Sequence, residues 1–147
     1  MLIKNGIYYF VVDILCVILL LGSIIYLIVA WGGLPDQIPG HFDFAGNITR
    51  YGKKGELLFM PIMNIVMFAG VSVVERFPQI WNTGVKVTEQ NKFRVYTILK
   101  NLIVTSKLSV VAPFAFITIH QTKGINLPVW FIPAFFVICF APIIFFA

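Results

Sequence analysis

The sequence predicts an all-α integral membrane protein with four transmembrane helices and a structured loop between helices 1 and 2. Composition is the first observation: 59% of the residues are hydrophobic and 12% are charged, whereas a soluble domain is about half apolar and a quarter charged. The second is the run 7–31, in which Asp13 is the sole formal charge. About 20 apolar residues in a helix cross a bilayer core of roughly 30 Å. The length of 147 residues suits a single membrane domain, 1–147.

The predicted helices follow four apolar segments, at about residues 7–31, 57–74, 89–120 and 127–147. Helices are favoured over strands because lipid-exposed backbone must satisfy its own hydrogen bonds, and these runs do not alternate apolar with polar residues. Thr88 is the expected N-cap of the third helix, and Pro113 should kink that helix. The first run is far longer than a signal-peptide core, so we expect an uncleaved first helix.

Basic residues indicate the orientation. With a cytoplasmic N-terminus, the cytoplasmic side carries five of them (Lys4, Arg76, Lys86, Lys92 and Arg94) and the opposite side carries four (Arg50, Lys53, Lys54 and Lys123). The positive-inside rule then favours cytoplasmic positions for both chain ends. Trp31 and Trp130 would both lie at the outer interface, where indole rings prefer to sit.

Several function classes find no support in the residues. The chain has no serine elbow, no HExxH and no phosphate-binding glycine loop, so we expect no enzyme activity, no catalytic residue and no cofactor. Cys16 and Cys139 lie inside apolar runs without CxxC or metal-ligand spacing, and we interpret both as small hydrophobic side chains. The net charge of +5 comes from basic residues spread singly, which predicts contact with the lipid bilayer and not with nucleic acid.

The loop at residues 32–56 is the most distinctive stretch. Its glycines and prolines predict an ordered, turn-rich segment, with a short hairpin on the membrane surface that turns at Ala45-Gly46-Asn47. We expect this loop to bind a ligand or partner, and its candidate residues are Pro35, Pro39, His41, Gly46, Tyr51, Gly52 and Lys53.

Two side-chain groups in this loop allow more than one interpretation. His41 is expected to bond a loop carbonyl and so fix the hairpin, and a metal site shared with Asp43 and His120 is the alternative. Lys53, Lys54 and Arg50 indicate contact with anionic headgroups, and a specific anionic ligand is the alternative.

The loop also carries a family pattern: Leu34-Pro35, Ile38-Pro39, His41-Phe42, Gly46 and Tyr51-Gly52-Lys53, then Pro61. A second set follows at Phe77-Pro78, Trp81, Thr88-Glu89-x-Asn91 and Tyr96. Over about residues 15–110 the chain resembles a small bacterial membrane domain of unknown function that opens the SdpI-type toxin-immunity proteins. The resemblance implies a bacterial inner-membrane location and brings no established catalytic residue.

Inside the predicted membrane segments the main polar candidates are Asp13, Asn64, Lys100 and Lys107. Asp13 and Lys100 both lie roughly 9 Å into their helices, which predicts an ion pair between them. A second stripe at Asn101, Thr105 and Ser109 indicates hydrogen bonds between helices. These groups could stabilise the bundle, form a proton or ligand pathway, or contact another copy in an oligomer.

We therefore expect a bacterial immunity or regulatory protein that binds a hydrophobic toxin, a peptide or a membrane-protein partner through the outer loop and the helix faces. A small transporter or channel component is one alternative, and it would require a homo-oligomer because four helices rarely enclose a pathway. An accessory subunit of a larger membrane complex is another.

Overall fold

The computed structural model describes residues 6–146, which form four α-helices and one two-stranded antiparallel sheet. The helices are α1 (Ile7–Ala30), α2 (Phe59–Arg76), α3 (Lys92–Lys123) and α4 (Phe131–Phe146), and the strands are β1 (Gln37–Phe42) and β2 (Ile48–Lys53). The hairpin predicted between the first two helices is therefore present. Lys4, which contributes to the expected orientation, and Ala147, the last residue of the expected fourth helix, lie outside the described residues.

Helix α3 is central and packs against the other three helices. A hydrogen bond between the Tyr8 and Thr105 hydroxyls, and one that Thr122 Oγ1 donates to the Tyr26 hydroxyl, show that α1 and α3 run in the same direction. Helix α2 runs the opposite way, because Asn64 near its start bonds the Val111 carbonyl while its end lies beside Lys107.

Helix α4 is also antiparallel to α3, and its aromatic first turn stacks on α3. The rings of Phe131 and Phe116 have centroids 4.7 Å apart. The two ends of the described chain share one depression, lined in part by Gly6 and Phe146. The bundle therefore has a chain-end side and a hairpin side.

Three helices of the described chain are long and apolar enough to cross a membrane. The spans Ile7–Gly33, Lys54–Arg76 and Lys92–Lys123 have mean hydropathies of 2.8, 2.2 and 1.9. Helix α4 is apolar but has only 16 residues. The fold is thus a mostly helical bundle with three candidate membrane spans, a shorter apolar helix and a small sheet.

Thr88, the predicted N-cap of α3, lies in a hydrogen-bonded turn just before the helix. The Thr88 backbone N–H donates to Asn91 Oδ1 at 2.7 Å, and the Asn91 N–H donates to Thr88 Oγ1 at 3.3 Å. This reciprocal arrangement is a capping box. The regular helix nevertheless has Asn91 as its N-cap and runs from Lys92 to Lys123, so it begins and ends three residues later than the predicted segment 89–120.

Helix α4 starts later than its apolar run predicts. The run begins at Leu127, but the helix begins at Phe131. The Leu127 backbone N–H donates to the Gly46 carbonyl of the hairpin turn at 2.8 Å. Leu127 therefore belongs to the connection that holds the hairpin, and not to the fourth helix.

Pro113 lies inside α3 and frees a carbonyl there. A proline has no N–H to donate to the carbonyl four residues earlier, here Ser109. Cys139 Sγ of α4 lies 3.9 Å from that oxygen and donates to it. A neighbouring helix thus supplies the missing donor, which gives Cys139 a polar role that its apolar surroundings did not predict.

Candidate functional site

The hairpin is docked onto the connection between α3 and α4, and we call the two together the cap (residues 37–53 and 120–127). Gln121 Nε2 donates to the Pro39 carbonyl at 3.0 Å. Asn126 Oδ1 accepts from the Ile48 N–H at 2.9 Å. The carbonyl of Asn126 is in turn 2.8 Å from His120 Nε2. The first two of these bonds join segments about 80 residues apart in sequence, so the cap is one structured unit.

An apolar contact fixes the cap to the bundle beneath it. Ile38 of β1 is 1% exposed and clusters with Leu27 of α1 and Leu57, which precedes α2. Trp31 and Leu34 pack against the same cluster. Burial of an aliphatic side chain of this size contributes about 1.5–3 kcal/mol, so this contact holds the hairpin to the helix ends.

The hairpin turn has a defined shape because Asp43 organises it. The Asp43 carboxylate accepts backbone N–H groups from Ala45 at 2.9 Å and Asn47 at 2.8 Å. The bond from the Asn47 backbone is the main cause that lowers the pKa of Asp43 below its ordinary value. Gly46 completes the turn with φ 86°, and a Cβ there would lie 2.5 Å from the Leu127 carbonyl oxygen.

A surface ion pair crosses the hairpin above two glycines. Arg50 Nη2 lies 2.7 Å from Glu56 Oε2. The hydrogen bond to Glu56 raises the pKa of Arg50. A Cβ at Gly52 would collide with the Glu56 carboxylate, and one at Gly40 would come within 2.7 Å of Arg50 Nη2. Gly52 therefore makes room for this pair.

The seven loop candidates separate into two groups. Pro39, Gly46 and Gly52 are buried and hold the cap together, while Pro35, His41, Tyr51 and Lys53 are exposed. The predicted partner of the His41 ring, a loop carbonyl, is wrong. The His41 Nδ1 atom lies instead 2.6 Å from the Thr49 hydroxyl oxygen on the opposite strand. In residues 6–146, no three His, Cys, Asp or Glu side chains are grouped to hold a metal ion.

A second polar site lies in the bundle, and we call its residues Asp13, Glu75 and Lys107 the charge cluster. The Lys107 side chain is 1% exposed. Its Nζ lies 2.5 Å from Asp13 Oδ1 of α1 and 2.7 Å from Glu75 Oε2 of α2. Ser72 Oγ is a third acceptor at 3.5 Å. The cluster therefore links three helices through one ammonium group.

The predicted pair of Asp13 with Lys100 is wrong, because Asp13 pairs with Lys107. The prediction placed Asp13 and Lys100 at the same depth because it assumed that the membrane parts of α1 and α3 begin at the same level. Tyr8, in the first turn of α1, instead bonds Thr105, so α3 extends beyond α1. Lys100 Nζ lies 4.3 Å from the centroid of the Tyr9 ring.

Glu75 was missed because the apolar run predicted for α2 ends at Val74. A signal was available: Asn64, Phe68, Ser72 and Glu75 follow one another at spacings of four, four and three, which places them on one helix face. That face meets α3, where Asn64 is fully buried and donates to the Val111 carbonyl at 3.2 Å. Of the predicted stripe on α3, Thr105 bonds Tyr8 of α1.

Comparison with known proteins finds one family model that is similar to part of the chain. Residues 18–65, about a third of the chain, match the family model described as Domain of unknown function (DUF1648). No curated protein and no solved structure matches the chain. The link to toxin-immunity proteins remains a prediction. The matched residues cover most of α1, the hairpin and the start of α2, and so include the loop whose pattern resembled a small membrane domain of unknown function; the description of the matched family states no function.

Proposed function

We propose that this chain is a multi-pass protein of the bacterial inner membrane that binds a hydrophobic toxin, peptide or membrane-protein partner through its cap, in an immunity or regulatory role. Membrane residence is supported by large apolar side chains on the outward helix faces, such as Phe10, Ile18 and Ile25 of α1, while Asn64 and Lys107 are buried inside. Helix α4 would be the fourth span, with both chain ends cytoplasmic and the cap outside.

The observation that carries the binding role is that the cap is structured before any partner arrives. Three long-range hydrogen bonds, from Gln121, Ile48 and Leu127, hold its backbone. A preorganised surface loses little conformational freedom on binding, so more of the contact energy appears as affinity. The outward side chains His41, Tyr51 and Lys53 offer a titratable ring, an aromatic ring and a positive charge to a partner.

The test is copurification from the native host in mild detergent, followed by identification of what is bound. The cap variant replaces His41, Tyr51 and Lys53 by alanine. The control replaces three exposed residues of the chain-end side: Gln79, Lys86 and Gln90. We expect a stoichiometric partner that the control retains and the cap variant loses by about tenfold or more, provided that both variants melt like the parent. Equal retention by the two variants would remove the cap from this role.

A second candidate function, a small oligomeric transporter or channel component, is favoured by the charge cluster. Ionisable groups inside a membrane bundle are costly and often mark ion or proton pathways. The test is ion or proton flux in proteoliposomes. Flux that Lys107→Met abolishes and Lys86→Met leaves intact would support this function. No flux under any gradient would eliminate it.

A further inference from the structure

An apolar groove opens between α1 and α2 on the hairpin side of the bundle. Helix α3 contacts both helices extensively, whereas α1 and α2 meet each other only sparsely, which leaves the groove between them. Its volume is about 510 Å³, and every side chain that lines it is apolar, among them Ile24, Ile28, Trp31, Leu58 and Ile65. From Ile24 to Trp31 the groove follows α1 for roughly 10 Å.

The rim of this groove at the cap is basic. Lys54 Nζ lies 5.0 Å from the centroid of the Trp31 ring, and 3.5 Å from the Leu34 carbonyl oxygen to which it donates. Lys53 is its exposed neighbour in sequence. Asp36 also lies near this rim, since its carbonyl accepts the Lys54 backbone N–H at 2.9 Å. Because Glu56 is paired with Arg50, the rim formed by Asp36, Lys53 and Lys54 has an excess of one positive charge.

We propose that this groove binds an anionic phospholipid, with an acyl chain between α1 and α2 and the headgroup phosphate at Lys54 and Lys53. The inference rests on the membrane residence proposed above. An acyl chain has no polar group to satisfy, which suits a groove lined only by apolar side chains. An extended peptide would bring several backbone N–H and C=O groups into the groove, where the lining side chains of the described residues offer a single hydrogen-bond donor, the Trp31 indole N–H, and no acceptor.

Trp31 allows a direct test, because it lines the groove and brominated acyl chains quench indole fluorescence on contact. The protein would carry Trp81→Phe and Trp130→Phe, so that Trp31 is the remaining tryptophan, and would be reconstituted in equimolar phosphatidylcholine and phosphatidylglycerol vesicles. One lipid at a time is brominated. We expect brominated phosphatidylglycerol to quench Trp31 roughly fivefold more strongly than brominated phosphatidylcholine, a preference of the size that one lysine near an anionic surface confers.

Three variants separate groove binding from simple attraction of anionic lipid. Lys54→Gln should bring the quenching ratio close to one, and Lys86→Gln on the chain-end side should leave it unchanged. Ile28→Phe narrows the groove and keeps both lysines, so it should also abolish the preference. If the preference survived Ile28→Phe, headgroup attraction alone would explain it and the groove site would be wrong.

The outcomes also separate this inference from the proposed function. Equal quenching by the two lipids in the parent protein would overturn the lipid site while leaving membrane residence intact. No quenching by either lipid would contradict the membrane residence itself.

Discussion

Lys107 is the residue whose environment is most unusual, since its ammonium group lies among acceptors from two other helices. An ammonium has three N–H donors, and Asp13, Glu75 and Ser72 supply three oxygen acceptors at 2.5, 2.7 and 3.5 Å. A buried charge that is fully hydrogen-bonded is tolerated, whereas a buried charge without a partner is costly. Glu75, whose side chain is 13% exposed, therefore depends on this lysine more than Asp13 does, whose side chain is 44% exposed.

Replacing Lys107 by methionine should destabilise the protein strongly, by about 3–5 kcal/mol, because the largely buried Glu75 carboxylate loses its partner within the bundle. The double variant Lys107→Met with Glu75→Gln should recover part of the loss, since one uncompensated carboxylate is removed. Thermal unfolding in detergent measures both effects, with Lys86→Met at an exposed position as the control. A single variant as stable as the control would show that the charge cluster contributes nothing to the fold.

Gly46 and Gly84 offer a matched pair of substitutions, because both have positive φ, 86° and 63°. A Cβ at Gly84 meets nothing within 4 Å, so Gly84→Ala should cost only the backbone strain of about 1–2 kcal/mol. Gly46→Ala adds a contact with the Leu127 carbonyl, at 2.5 Å before any relaxation, and should also undock the hairpin. Unfolding midpoints should therefore fall more for Gly46→Ala, and equal losses would mean that the docked turn adds nothing.

At the scale of elements, the hairpin turn depends on the ionised Asp43 carboxylate, and its order should depend on pH. Hydrogen bonds, chiefly the one from the Asn47 backbone, lower the pKa of Asp43 in the folded protein. The contribution of this carboxylate is therefore fully present above its ordinary pKa of about 3.9, and is lost as the pH falls through the lowered folded value. Amide chemical shifts of Ala45 and Asn47 should titrate with a midpoint below about 3.9.

The control for this titration is Asp43→Asn, which keeps an acceptor oxygen and removes the charge. The titration of the two amides should disappear in that variant. A midpoint at or above the ordinary aspartate value in the parent protein would contradict the role of the Asp43 carboxylate in the turn.

The sequence predicted the elements better than the contacts between them. Hydropathy located the helices and turn residues located the hairpin, because both signals are local. The partner of Asp13 was not predictable in this way, since it depends on how far α3 extends beyond α1. Glu75 was not among the predicted site residues because it follows the apolar run of α2. The hydrogen bond between Leu127 and Gly46 joins residues 81 positions apart in the chain. The contacts of Asp13 with Lys107 and of Leu127 with Gly46 join distant parts of the chain and leave no local pattern, whereas the helical spacing of Glu75 from Asn64 and Ser72 was a local signal.

At the scale of the whole molecule, the directions of the helices place the cap and the α2–α3 connection at opposite ends. Helices α1 and α3 run in parallel, and α2 and α4 run against them. Lys53 lies at the cap end and Lys86 at the chain-end side, and both side chains are exposed. If the bundle spans a membrane, these two positions must face different compartments, whichever way the protein is inserted.

Cysteine labelling measures this directly. In a background with Cys16→Ala and Cys139→Ser, where serine keeps a donor for the Ser109 carbonyl, single cysteines replace Lys53 or Lys86. A membrane-impermeant maleimide should label Lys53→Cys in intact spheroplasts, and Lys86→Cys only after the membrane is opened. The reverse labelling pattern would mean that the protein is inserted in the opposite orientation, with the same arrangement of helices. Labelling of both positions from outside would contradict a membrane-spanning bundle, because no insertion of these antiparallel helices exposes both ends on one side.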